Sequence, residues 1–186
     1  MALLPIVTYP AKVLSKPARA LKPGDIDTHA FFEQMLEAMQ VYVGVGLAAP
    51  QVGESIRFIV AEDTRTGIKS AFLNPRITRF GGDKEIGPEG CLSFPGVYGR
   101  VIRSTEITVK YQDLDFNEYE DDYDGFFARV LQHEIDHLNG VLLCHRAEDG
   151  LHEVREGEDE EGEEDGDEGF EPLGEEETAP VTGDGE

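Results

Sequence analysis

Two histidines and a glutamate stand close together in His133-Glu134-Ile135-Asp136-His137. On a helix, residues four apart project from one face, so both imidazoles can reach a single metal ion. The glutamate beside the first can carry protons to and from a water held there. Two histidines on a buried helix cost free energy unless they find partners, which favours a metal over coincidence. A hydrolytic metal site takes three protein ligands and leaves one position for water. A downstream histidine in the pattern HExxHxxGxxH is absent, since Gly140 is in place but Leu143 stands where the histidine would be. A glutamate twenty-odd residues later would fall in an acidic tail. The better candidate lies upstream, in Glu89-Gly90-Cys91-Leu92-Ser93. Cys91 there is bounded by glycine and set between strands, although a lone cysteine is more often an inert core residue.

A third segment, Gly44-Val45-Gly46-Leu47-Ala48-Ala49-Pro50-Gln51, combines small residues with an amide. Glycine and alanine let a backbone pass close to another group. Gln51 offers a donor for an oxyanion. Taken alone, the segment reads as an ordinary tight loop.

The elements that must position these residues follow from pattern. Prolines at 5, 10, 17 and 23 predict an irregular surface segment. Phe32, Met35, Leu36 and Met39 predict a helix over 25–41. Strands are predicted over 56–61, 68–73, 76–80, 97–103 and 106–112, with a turn at 113–117. A largely buried helix is predicted over 125–138, stopped by Asn139-Gly140. The order predicts an α+β fold: antiparallel strands packed around a central HExxH helix, with an N-terminal helix.

The net charge of −23 is concentrated at one end. Residues 153–186 hold seventeen acidic residues and one basic residue, Arg155. The first 152 residues hold 22 acidic and 15 basic residues. The chain therefore reads as a mildly acidic globular domain over 1–152 and an acidic, disordered tail over 153–186. Without clustered Lys and Arg, direct nucleic-acid binding is not expected. No apolar stretch is long enough for a membrane span, and the start lacks a basic n-region and a cleavage site. Two cysteines, Cys91 and Cys144, suit thiols in a reducing compartment, so a cytoplasmic location is expected.

In this order and spacing, GxGLAAPQ, EGCLS and QHExDH resemble the three signature motifs of the peptide deformylase family. Thr8-Tyr9-Pro10, Met35-Leu36, Asn74-Pro75 and the run from His137 to Val141 extend the resemblance over roughly residues 3 to 146. The resemblance implies that Cys91, His133 and His137 hold a metal. The family typically uses Fe(II), and Zn(II), Ni(II) or Co(II) can occupy the same site. It implies hydrolysis of the N-formyl group from N-formylmethionyl nascent peptides, releasing formate. In that chemistry Glu134 handles the proton, while the Gln51 side chain and the Leu92 backbone N–H donate to the formyl oxygen. Val45 and Gly46 would pair with the substrate backbone, and Phe126 and Val130 would line the methionine pocket. Arg103 resembles a family arginine near the bound peptide, and Glu89 would support the site. Some relatives dock on the ribosome through a basic C-terminal helix. This chain ends in acid instead, leaving only transient ribosome proximity.

Several positions depart from the family pattern: Tyr42-Val43, Phe94, Cys144 and His145. His145 lies past the helix stop and reads as a surface or structural residue. Two other readings use the same motifs, namely a metallohydrolase of different substrate and a non-catalytic metal-binding module. Glu134 and Gln51 argue against the second, because binding alone needs neither.

Overall fold

The architecture is that of a computed structural model describing residues 3–154. From residue 155 onward the expected acidic tail lies outside the described residues. Six strands form one sheet in the order β1-β2-β3-β4-β5, with β6 also on β4, and every strand pairing is antiparallel. They are β1 (Gly46–Ala48), β2 (Phe58–Asp63), β3 (Ile68–Cys91), β4 (Phe94–Gln112), β5 (Glu118–Asp124) and β6 (Leu151–Glu153). Three helices accompany them: α1 (Thr28–Val41), α2 (Gly125–Leu138) and the single turn α3 (Leu143–Arg146). The fold is mixed α and β with an antiparallel sheet. Among the described residues no helix is long and apolar enough to cross a membrane.

Helix α1 begins three residues later than predicted, because the Asp27 carboxylate accepts from the Ala30 N–H at 3.0 Å and caps it there. Helix α2 has the predicted bounds, and ten of its fourteen residues are buried. Leu131, Ile135 and Leu138 pack with Ile59, Phe72, Ile107 and Val109 of the sheet. Gln132 adds a polar tie: its amide donates to the Ser104 carbonyl (2.9 Å) and its oxygen accepts from the Ser104 N–H (3.2 Å). The predicted stop is tightly determined. Gly140 has φ 71°, and a Cβ there would come within 2.9 Å of the Ser15 and Lys16 backbone. Any side chain would therefore push off the N-terminal segment.

The strand expectations need correction. The predicted strands 68–73 and 76–80 are one strand running on to Cys91, and 97–103 and 106–112 are likewise one. Pro75 and Gly81-Gly82 sit at register shifts between Leu73 and Arg76 and between Gly81 and Lys84. There the strand bulges and continues instead of ending. The short strands β1 and β6 and the acidic β5 were not predicted, for want of an apolar alternation.

Candidate metal centre and cleft

Strand β3 ends at Cys91, and Leu92-Ser93 form the turn that returns the chain as β4. This turn faces α2. The sulfur of Cys91 lies 3.2 Å from His137 Nε2, and one donor atom from each of Cys91, His133 and His137 falls within 4.8 Å of the others. His137 is only 1% exposed. Burial pushes its pKa well down, which favours the neutral imidazole that a metal needs. His133 is oriented by a 3.0 Å bond from Nδ1 to Glu89 Oε2, leaving the other nitrogen for the centre. Burial alone would push His133 down too, but its bonds to Cys91 and Glu89 raise its pKa to about 10. The same two groups favour any cation placed among the donors. One sulfur and two imidazole nitrogens, converging with one side open to a cleft, suit a divalent metal ion.

Glu134 stands beside the donors and is 4% exposed, with Oε2 buried and without a hydrogen-bond partner among the described residues. Burial raises its pKa to about 7. Strand β1 can lie against it only because residue 46 is glycine. A Cβ at Gly46 would come within 2.5 Å of Glu134 Oε1 and 2.9 Å of Val130 Cγ1. The close approach that the small residues allow is thus to the chain's own catalytic candidate. Val45 uses its carbonyl to accept from the Glu62 N–H at 2.8 Å, while β1 itself is an end strand of the sheet order. Among the described residues, one edge of β1 therefore carries no strand.

Gln51 is 1% exposed in the short 3₁₀ turn Ala49–Val52. Its oxygen accepts from the Ala48 N–H at 2.9 Å, which fixes the amide so that the NH₂ faces Ser93 Oγ (3.3 Å) and Cys91 Sγ (3.6 Å). Leu92, Val45, Gly46, Gln51, Phe126, Val130, His133 and Glu134 all line one cleft of ≈ 830 Å³. Its wall is mostly apolar; Phe126 is half exposed at the rim and Val130 is buried.

Arg103 is the exception. It is 6% exposed and does not line the cleft. Its Nε and Nη2 each bond Glu89 at 2.9 Å, and its Nη1 bonds Asp136. Expected near the bound peptide, Arg103 directs its donors at two buried carboxylates instead. Burial pushes the Glu89 carboxyl up, but the bonds from His133 and Arg103 hold it down to about 2. His145 takes the structural part expected of it, its Nδ1 accepting from the Leu142 N–H at 3.1 Å.

Two residues were missed. Asp136 anchors Arg103 and also accepts from Arg146 at 2.7 and 3.0 Å. Arg129 lines the cleft and donates to Glu89 at 2.9 Å. The spacing offered a signal for Arg129, which stands four residues before His133 and so on the same helical face.

The family model described as polypeptide deformylase matches residues 3–152. A peptide deformylase of Chlorobium luteolum is 46% identical over 153 residues, 78% of this chain and 79% of that one. The solved peptide deformylase of Thermotoga maritima is 41% identical with a TM-score of 0.76, covering 79% of this chain and 99% of its own. That of Synechococcus elongatus, solved in complex with actinonin, is 40% identical with a TM-score of 0.74 over 78% of this chain and 79% of its own. By sequence and by fold, this chain belongs to the polypeptide deformylase family.

Proposed function

We propose that this chain hydrolyses the N-formyl group of N-formylmethionyl nascent peptides, with Cys91, His133 and His137 as metal ligands. The observation that carries the reading is the convergence of these three donors beside a buried glutamate at the floor of an apolar cleft. A divalent ion bound there would supply Lewis acidity and an activated water. Glu134 takes the proton of the attacking water and delivers it to the departing amine, a role its position and its lack of a protein partner at Oε2 support. The Gln51 NH₂ and the Leu92 N–H donate to the formyl oxygen as charge grows on it. Val45 and Gly46 offer the free edge of β1 to an extended peptide. Phe126 and Val130 form the apolar wall for the methionine side chain. In this reading the HExxH helix is the element around which the sheet is organised. The site works in the cytoplasm on chains near the ribosome, and the acidic tail takes no part in its chemistry. Deleting 156–186 should therefore leave metal content and turnover unchanged.

The native ion is proposed to be Fe(II), on the strength of the family resemblance, with Zn(II), Ni(II) or Co(II) as competent substitutes. The test combines elemental analysis of anaerobically purified protein with formate release from formyl-Met-Ala-Ser. Formate release with no hydrolysis of the acetyl analogue is expected. Equal rates on both, or cleavage of internal peptide bonds, would overturn the substrate assignment, and zinc with air-stable activity would overturn iron.

A further inference from the structure

We infer that Arg129 is a positioning residue, its guanidinium strapping the strand pair that carries Glu89 and Cys91 to the helix that carries His133 and His137. Four contacts make the strap. Nη1 donates to Glu89 Oε1 at 2.9 Å and to the Val101 carbonyl at 2.8 Å, and Nη2 donates to the Glu85 carbonyl at 2.8 Å. The guanidinium also lies against Gly87, where a Cβ would come within 3.0 Å of Nη2 and 3.1 Å of Cζ.

Glu89 does not need Arg129 for its own satisfaction, since Arg103 already grips both its oxygens and His133 bonds one of them. What Arg129 alone adds is a hold on the backbone of β3 and β4 together, at Glu85 and at Val101, the register partner of Gly87. That hold falls shortly before the register shift between Gly90 and Cys91, where ladder pairing least constrains the strand. The metal donors come from two elements, Cys91 from the strand and both histidines from the helix. A tie between those elements therefore sets the distance between the donors. A lysine ammonium is a compact point charge and cannot reproduce the planar fork that spans three acceptors.

The inference rests on the metal-centre reading. Its test uses Co(II) as the probe, with chelator competition and the cobalt–thiolate absorption band as readouts, beside kcat and KM on formyl-Met-Ala-Ser. Arg129→Met keeps the stem and removes the fork; it should weaken Co(II) retention by about 10-fold or more. It should also lower kcat and leave KM within about twofold, since only the donors' support is lost. Arg129→Lys should not restore either. Gly87→Ala, which crowds the guanidinium without changing any residue of the helix or any donor, should act in the same direction, and combined with Arg129→Met it should add nothing. A raised KM with unchanged Co(II) retention would make Arg129 a substrate contact and overturn the inference. So would full additivity of the two variants. Wild-type protein that takes up no Co(II) would sink the metal-centre reading itself, an outcome separate from variants that retain cobalt normally.

Discussion

Glu89 on β3 and Asp122 on β5 are both strand carboxylates bonded to an arginine. Glu89 is buried, and accepts from Arg103, Arg129 and His133. The Asp122 side chain is 72% exposed, and accepts from Arg79 at 3.0 Å and from Thr108. Both carboxyls are held below the usual range. For Asp122 the bonds from Thr108 and Arg79 do it, whereas for Glu89 they must first overcome burial. Water can replace any partner that Asp122 loses. Glu89 is only 7% exposed, so solvent replaces a lost partner there far less readily. The comparison teaches that charge density alone does not mark a site. The acidic run of β5 is dense in charge, yet its pairs are screened and replaceable.

Within the buried region the largest expected effect is at Glu134. Glu134→Gln should lower kcat by about 10²–10⁴-fold while metal content stays at wild-type level, measured by elemental analysis beside formate release. Retention of most activity would show that the buried carboxyl moves no proton. A smaller effect on turnover but a larger one on the fold is expected for Glu89→Ala. It leaves Arg103 buried with one carboxylate partner instead of two, and should cost about 3–5 kcal/mol in urea unfolding. A variant as stable as wild type would mean that Asp136 and solvent compensate, and the contrast with Asp122 would collapse. The smallest effect is expected for Asp122→Ala, whose melting temperature and kcat/KM should match wild type within error. A clear loss there would show that the outer charge ladder on β5 is structural after all.

Legibility differed by the range of the interaction involved. His133, Glu134 and His137 could be read together because a helix places residues four apart side by side, whatever the rest of the chain does. The bounds of α2 and its glycine stop were readable for the same reason, being written in neighbouring residues. Cys91 as a candidate, Gln51 and the Leu92 turn were visible as residue types, but only the likeness of three motifs to a family joined them into one site. The long strands were misread where Pro75 and Gly81-Gly82 interrupt them, because a bulge and a strand end look the same along the chain.

The chemistry a metal site could do, and two helical candidates for its ligands, were legible in the sequence alone. The tertiary structure decided which arginine faces the cleft. Arg103 and Arg129 are both cations near motif residues; spacing puts Arg129 on the helical face of His133, but it does not say which of the two reaches the cleft. Arg103 lies under the helix between Glu89 and Asp136, and Arg129 lies on the cleft side over Gly87. Their partners come from residues up to 44 positions distant. Only the antiparallel pairing of β3 with β4, and the packing of α2 across them, sets which charges meet.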